Sequence, residues 1–389
     1  MNKPSYPSRR QLLLGAGLAL ASGCASSGFH ISPKGRGGYG TLKPLNLDRR
    51  HLTKVTVCTR PFRPAGPRIE VEQVANRLVV HNYGHGGSGW SLSWGSAQVA
   101  VDLAMTNRPE LAASSGVAVI GAGVIGMTTA IRLAETGVPV TVYAKDLPME
   151  SRSARATGVW SPSSRIALSN VASDDFPDRW EGWARMSYAS HLRYLGDSGE
   201  SVAFQPQFYV RNEGSSASVP ETRSFAHLHR RLDGLTPEWD RLGEDESPFN
   251  AETVRGGPSL AFNVASYSER LTRDFLLRGG KIVRRSFPDL ASLTTLSERV
   301  IFNCTGYGAK DLFGVDDLEP VRGQINWLPP QPNARYGFYY NDVFVISRRD
   351  GVVVQFTGAN DDYGYGLADE TVDAAETALA FDRISSVYG

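Results

Sequence analysis

Three glycines stand at GxGxxG spacing in Gly121-Ala122-Gly123-Val124-Ile125-Gly126, a spacing suited to the close approach of bare backbone to a pyrophosphate. The first glycine permits a tight turn, the second lets main-chain amides reach the anion at a helix N-terminus, and the third lets that helix pack closely on a strand. An acid closing the next strand would accept a hydrogen bond from a ribose hydroxyl; Lys145 stands at that place and Asp146 follows it. His81 and His85, four residues apart, would suit a metal ion if they lay on a helix. Gly84, Gly86, Gly87 and Gly89 argue against a helix there, so no metal site is expected. Cys24, Cys58 and Cys304 are too far apart for a metal finger or a disulfide framework. Redox chemistry, if this chain performs any, must come from a bound cofactor.

The elements that would position these residues are legible around them. Val117-Ala118-Val119-Ile120 is a short apolar, β-branched run that feeds into the glycine turn. Residues 127–136 have helical composition, Gly137 ends that helix, and residues 138–143 form the next strand. Strand, glycine turn, helix and strand thus fall within about thirty residues, the context a dinucleotide site requires. A second apolar run, Val300-Ile301-Phe302-Asn303-Cys304, reads as a buried strand in which Cys304 is a small core residue. A helix is expected over 90–104, a strand at 352–354 and a helix over 371–379. Trp180, Trp183, Phe208 and Tyr209 are of a kind more often found in a core than in a cofactor site, and no role is assigned to them.

Ala156-Thr157-Gly158-Val159-Trp160-Ser161-Pro162, Val300 to Gly306 and Pro320-Val321-Arg322-Gly323-Gln324 resemble blocks of the D-amino-acid oxidase family, flavoproteins with FAD in a Rossmann-like domain. A further resemblance runs from Thr59-Arg60-Pro61-Phe62-Arg63-Pro64 to His81-Asn82-Tyr83-Gly84-His85-Gly86-Gly87-Ser88-Gly89-Trp90. In that family such a block lies near the C-terminus, whereas here it precedes the glycine turn. The chain therefore looks circularly permuted, with residues 106–116 as the new linker and the closing block missing after the 371–379 helix. Rival arrangements are a duplicated block whose second copy is lost, or a dimer that exchanges the segment.

The resemblance implies an α/β fold: a Rossmann-like FAD-binding domain and a second α+β substrate domain with an antiparallel sheet. It implies FAD held by Gly121, Gly123, Val124, Ile125, Gly126, Lys145, Asp146, Ser151, Arg152, Ser153, Gly158, Val159, Phe287 and Thr305. From the leading block, Gly86, Ser88, Gly89, Trp90 and Ser91 would meet the flavin ring, with the helix N-terminus and the Ser91 hydroxyl facing the charge that reduction creates. Arg60 matches the arginine that forks onto a substrate carboxylate, Gly87 the carbonyl that receives the amine, and Tyr340 a lid tyrosine. Phe344 falls where a second tyrosine hydroxyl is usual. The implied reaction moves a hydride from the substrate Cα to flavin N5, hydrolyses the imine to a 2-oxo acid and ammonia, and passes electrons to dioxygen or another acceptor. The alternatives are a flavoenzyme of the same fold acting on a modified amine or peptide-derived substrate, and a non-catalytic flavin-binding lipoprotein.

Composition agrees with a folded chain able to bury a large core. With 41 Lys plus Arg against 40 Asp plus Glu the net charge is +1, which offers no field for nucleic acid. At 41% hydrophobic and 21% charged, 389 residues exceed what one core usually supports. Ser8-Arg9-Arg10 before the apolar 12–21 stretch resembles a twin-arginine export signal, and Ala21-Ser22-Gly23-Cys24 a lipoprotein cleavage box. The expected product is exported to the cell envelope or beyond, with membrane attachment through a lipidated Cys24. The resulting divisions are signal 1–24, tether 25–41, displaced block 42–105, linker 106–116, FAD-binding βαβ 117–164, substrate domain 165–260, FAD-binding domain resumed 261–325, and substrate-domain strands and helix 326–389.

Overall fold

The computed structural model describes Tyr39 and residues 42–108, 116–212, 219–243 and 246–388. The export signal, Cys24, almost all of the 25–41 tether and most of the 106–116 linker lie outside the described residues. Residues 40–389 form one compact unit built on two sheets.

The first sheet has six strands: β2 (Arg68–Val74), β3 (Arg77–Tyr83), β10 (Val300–Asn303), β4 (Val117–Ile120), β5 (Val140–Ala144) and β9 (Lys281–Arg284), in that spatial order. Every residue of β3, β4 and β10 is buried, the pattern of strands covered on both faces. All pairings from β3 to β9 are parallel, and β2 joins as an antiparallel hairpin partner of β3. Strand β10 runs between β3 and β4, so the HNYGHGG strand and the strand before the glycine turn flank the same neighbour.

The second sheet has eight strands: β1 (Lys54–Phe62), β11 (Glu319–Leu328), β14 (Gly351–Phe356), β13 (Val343–Arg348), β12 (Gly337–Tyr340), β6 (Val202–Arg211), β8 (Thr253–Phe262) and β7 (Asp240–Arg241). Its pairings are antiparallel except β6 with β12. Asn341 and Asp342 join β12 to β13 with φ of 47° and 65°, the two positive values a type I′ hairpin turn requires. A largely antiparallel second sheet is present as expected, and residues 319–325 lie in β11 of this sheet, not with the six-stranded one. The reason is β1, which pairs with β11 from Lys54↔Trp327 to Phe62↔Glu319 and draws the whole strand across.

The helices are α1 (Gly89–Asn107), α2 (Val124–Glu135), α3 (Phe176–Leu192), α4 (Val264–Leu277), α5 (Leu290–Leu293), α6 (Ala309–Phe313) and α7 (Ala374–Ile384). Helix α2 starts three residues before its expected place, because Gly123 is its N-cap and the glycine turn ends directly in helix. Helix α7 starts at Ala374, where the Asp373 carboxylate accepts from the amides of Ala375 and Glu376. Helices α1, α2 and α4 share one core with β3, β4, β5 and β10. Among the described residues no helix is long and apolar enough to cross a membrane.

Candidate active site

A cleft of about 830 Å³, at the upper end of the usual range for ligand pockets, opens along the C-terminal ends of β3, β4 and β10 and under the antiparallel sheet. Its floor is the glycine turn. Gly121 has φ +105°, and a Cβ there would overlap the Cys304 carbonyl; a Cβ at Gly123 would lie 2.9 Å from Ser153 Oγ. A Cβ at Gly126 would overlap the Gly121 carbonyl, so this third glycine packs helix on strand and does not line the cleft. Ser153 draws two helix N-termini together: its Oγ accepts from the Val124 amide at 3.0 Å, and its carbonyl accepts from Trp90 Nε1 at 2.9 Å.

The HNYGHGG segment forms the opposite wall, contributing Asn82, His85, Gly86, Gly87, Gly89 and Trp90. Gly86 has φ +54°, and a Cβ there would overlap the Arg165 carbonyl. His81 faces away from the cleft: its Nε2 meets Glu72 Oε2 at 3.0 Å and its Nδ1 meets Asn303 Nδ2 at 3.0 Å. His85 does line the cleft, and complete burial lowers its pKa to about 3. Asn82 Oδ1 and His85 Nε2 are buried with no hydrogen-bond partner among the described residues. Six basic side chains line the cleft, Arg60, Lys145, Arg152, Arg155, Arg165 and Arg285, against Asp146 and Asp311, an excess that favours anions.

Arg60 projects from β1 across Gly323 of β11, where a Cβ would overlap the guanidinium. Its Nη1 donates to the Arg322 carbonyl at 3.3 Å, and no carboxylate pairs with it among the described residues.

The family described as FAD dependent oxidoreductase (DAO) has a model that matches residues 116–388. The chain belongs to the FAD-dependent oxidoreductase family. It is 26% identical over 219 residues to a D-amino-acid oxidase of Dictyostelium discoideum, covering 53% of this chain and 55% of the relative. It is 29% identical over 223 residues to a D-amino-acid oxidase of Streptomyces coelicolor, covering 54% and 61%. The chain thus spans little more than half the length of these curated relatives. A glycine oxidase structure from Bacillus cereus is similar at a TM-score of 0.47 and 13% identity, covering 70% of this chain and 78% of that one.

The residues present fit the cofactor of this family. The glycine floor takes no side chain, two buried polar atoms on the wall lack partners among the described residues, and the basic excess suits a pyrophosphate. Of the residues expected to hold FAD, Gly121, Gly123, Val124, Ile125, Lys145, Asp146, Ser151, Arg152, Ser153, Gly158, Val159, Phe287, Thr305, Gly86, Gly89 and Trp90 all line the cleft. Ser88 and Ser91 do not, because their hydroxyls are used elsewhere. Ser88 Oγ donates to the carbonyls of Ser161 and Ser164, and Ser91 Oγ accepts from the Ser161 amide at 2.8 Å, pinning the 161–164 loop to the start of α1.

Arg60 and Gly87 also line the cleft; Tyr340 does not. Successive residues of β12 point to opposite faces, and register pairs Tyr339 with the cleft-lining Phe344. Tyr339 therefore faces the cleft side, with its hydroxyl 3.5 Å from Thr357 Oγ1. Tyr340 points the other way, 3.1 Å from Asn212 Nδ2 and 3.3 Å from Ser386 Oγ. Arg165, Asn82, Gln355 and Thr357 also line the cleft, without a local signal in the sequence that marks them. For Gly323 a signal was present, since a glycine beside an arginine-bearing strand is where a large side chain can cross.

Proposed function

We propose that this chain oxidises the Cα–N bond of a D-amino acid. FAD, when bound, supplies the two-electron acceptor and passes the electrons to dioxygen. The chain's part is binding and orientation. Arg60 grips the substrate carboxylate through its planar fork, the Gly87 carbonyl receives the amine, and the walls exclude water so that the Cα–H is held toward the acceptor. No side-chain base is needed once the amine is neutral, and a buried His85 with its pKa near 3 stays uncharged and donates no proton at neutral pH.

The observation that carries this reading is Arg60, a guanidinium facing a cofactor cleft whose one acceptor among the described residues is a backbone carbonyl at 3.3 Å. The naming of the curated relatives as D-amino-acid oxidases supports the same substrate class. Residues 42–105 are read as the family's closing block carried at the front of the chain, a reading supported by a family match that starts at 116 and by β3 beside β10. Residues 1–24 are read as an export signal, with Cys24 as the lipid attachment point.

The test is anaerobic bleaching of the flavin-loaded protein with D-amino acids and their L forms, followed by peroxide detection in air. The D form alone is expected to bleach. Arg60→Ala is expected to keep its flavin and lose roughly 100-fold or more in kcat/KM, the effect of removing a charge-assisted bidentate contact. Unchanged kinetics would reject the assignment.

A further inference from the structure

Of the other buried guanidinium groups, Arg77 lies outside the cleft and bonds to Asn76 Oδ1 and the carbonyls of Thr294 and Leu296, with its Nε unpartnered among the described residues, whereas Arg348 and Arg322 are each paired with a carboxylate. Arg348, 1% exposed, pairs with both oxygens of Asp350 and donates to the carbonyls of Ala156 and Thr157. Arg322 pairs with Glu376 and is further held by Gln324 and the carbonyls of Asp369 and Thr371. Arg165 is different. It is 9% exposed and lines the cleft, and among the described residues its one ion pair is Nη1 to Asp361 Oδ1 at 3.3 Å, with that carboxylate itself 26% exposed. Its remaining bonds are to backbone, Nε to the Asp361 carbonyl at 2.8 Å and Nη2 to the Asn360 carbonyl at 3.4 Å.

Two further features go against holding this residue here for packing alone. Its φ is +46°, a left-handed backbone that costs a non-glycine residue on the order of 1–3 kcal/mol. The positive charge of Arg60 also acts on it, adding to the burial that lowers its pKa to about 10. A strained backbone thus carries a desolvated cation that feels the charge of a second cation, both lining the one cleft. An anion between them would offset the desolvation of Arg165 and the repulsion between the two cations, and in such a desolvated place its attraction is strong.

Resting on the D-amino-acid reading above, we propose that Arg165 is a second carboxylate-binding residue of this cleft and that the preferred substrate is a D-amino acid with a side-chain carboxylate, of the aspartate or glutamate class. Arg60 takes the α-carboxylate and Arg165 the distal one. The planar fork that suits the first contact suits the second equally.

The test compares kcat/KM of the flavin-loaded enzyme for D-aspartate and D-glutamate against D-alanine and D-methionine, in the wild type, Arg165→Met and Arg165→Lys. The wild type should favour a dicarboxylate. Arg165→Met should lose about 10- to 100-fold on the dicarboxylates, the range for a charged hydrogen bond, and several-fold less on the neutral substrates. Arg165→Lys should recover part of that loss. A readout independent of turnover is perturbation of the bound-flavin spectrum by malonate and by acetate: malonate should bind more tightly, and Arg165→Met should erase the difference. Equal losses on all four substrates would make Arg165 a clamp for the 360–361 segment and overturn the proposal, as would a wild type that prefers neutral substrates. A flavin bleached by no D-amino acid would overturn the D-amino-acid reading and this proposal with it, whereas bleaching by neutral D-amino acids alone would spare the former.

Discussion

Three histidines show how burial sets the acid limit of this molecule. His81, His85 and His191 are each at most 2% exposed. Desolvation lowers their pKa values from 6.5 to about 4 for His81 and about 3 for His85 and His191; for His81 the charge of Arg68 adds to it. His191 is locked neutral by geometry as well. Trp94 Nε1 donates to the Tyr267 hydroxyl, which is 2.9 Å from His191 Nδ1, while His191 Nε2 is 3.1 Å from the Trp90 carbonyl. Nδ1 therefore accepts and Nε2 donates. As pH falls below about 6.5 the unfolded chain takes up protons that the folded chain refuses, so stability is full above that pH. Each histidine then removes about 1.4 kcal/mol per pH unit until its folded pKa is reached. The urea midpoint should fall steadily from pH 6.5 to 4.5; a flat profile over that interval would show that these rings charge inside the fold.

Helix α1 is the element that ties the leading block to the rest, and it does so by crossing α3 with almost no gap. A Cβ at Gly95 would overlap the Trp183 carbonyl, and the Gly95 amide donates to Ser187 Oγ at 2.7 Å. Gly95→Ala gains about 1 kcal/mol of helix propensity, but the atom it meets is backbone and cannot swing aside. The expected net effect is a loss of about 2 kcal/mol by thermal unfolding. Gly182→Ala on α3, where a Cβ meets nothing within 4 Å, should instead stabilise by up to about 1 kcal/mol; equal effects at the two positions would contradict the packing account. This contrast also marks what sequence can disclose. The glycine turn, β10 and α1 were legible because each is specified locally, by spacing, apolar runs and helix length. Tyr339 and Tyr340 were not separable, since which of two adjacent residues faces the cleft depends on their register against β13. Arg165 was invisible for a related reason: its left-handed backbone is imposed by the 161–164 loop packing under Gly86 and Gly87, a tertiary contact with no local signature.

At the scale of the molecule, the order of elements along the chain and their order in space differ, and the ends of the described fold meet. Tyr336 donates its hydroxyl proton to the Lys43 carbonyl at 3.0 Å, and the same oxygen is 2.7 Å from the Tyr388 hydroxyl. Residues 43 and 388 thus converge on one phenol. Meanwhile β1, β3 and α1 are anchored by partners distant in sequence, β11, β10 and α3, so their position owes little to the covalent connection at 108–116. Chain order is free to change when contacts of this kind hold the elements and the joined ends lie close. A chain that starts at Gly116, runs to Tyr388, passes through a linker of about six glycines and serines reaching roughly 20 Å, continues from Leu42 and ends at Asn107 should therefore fold alike. It should retain stoichiometric FAD and an unfolding temperature within a few degrees of the parent. Loss of flavin with the far-ultraviolet spectrum intact would show that the 108–116 connection itself holds the two walls of the cleft in register, and that the leading block needs its present covalent neighbour to complete the site.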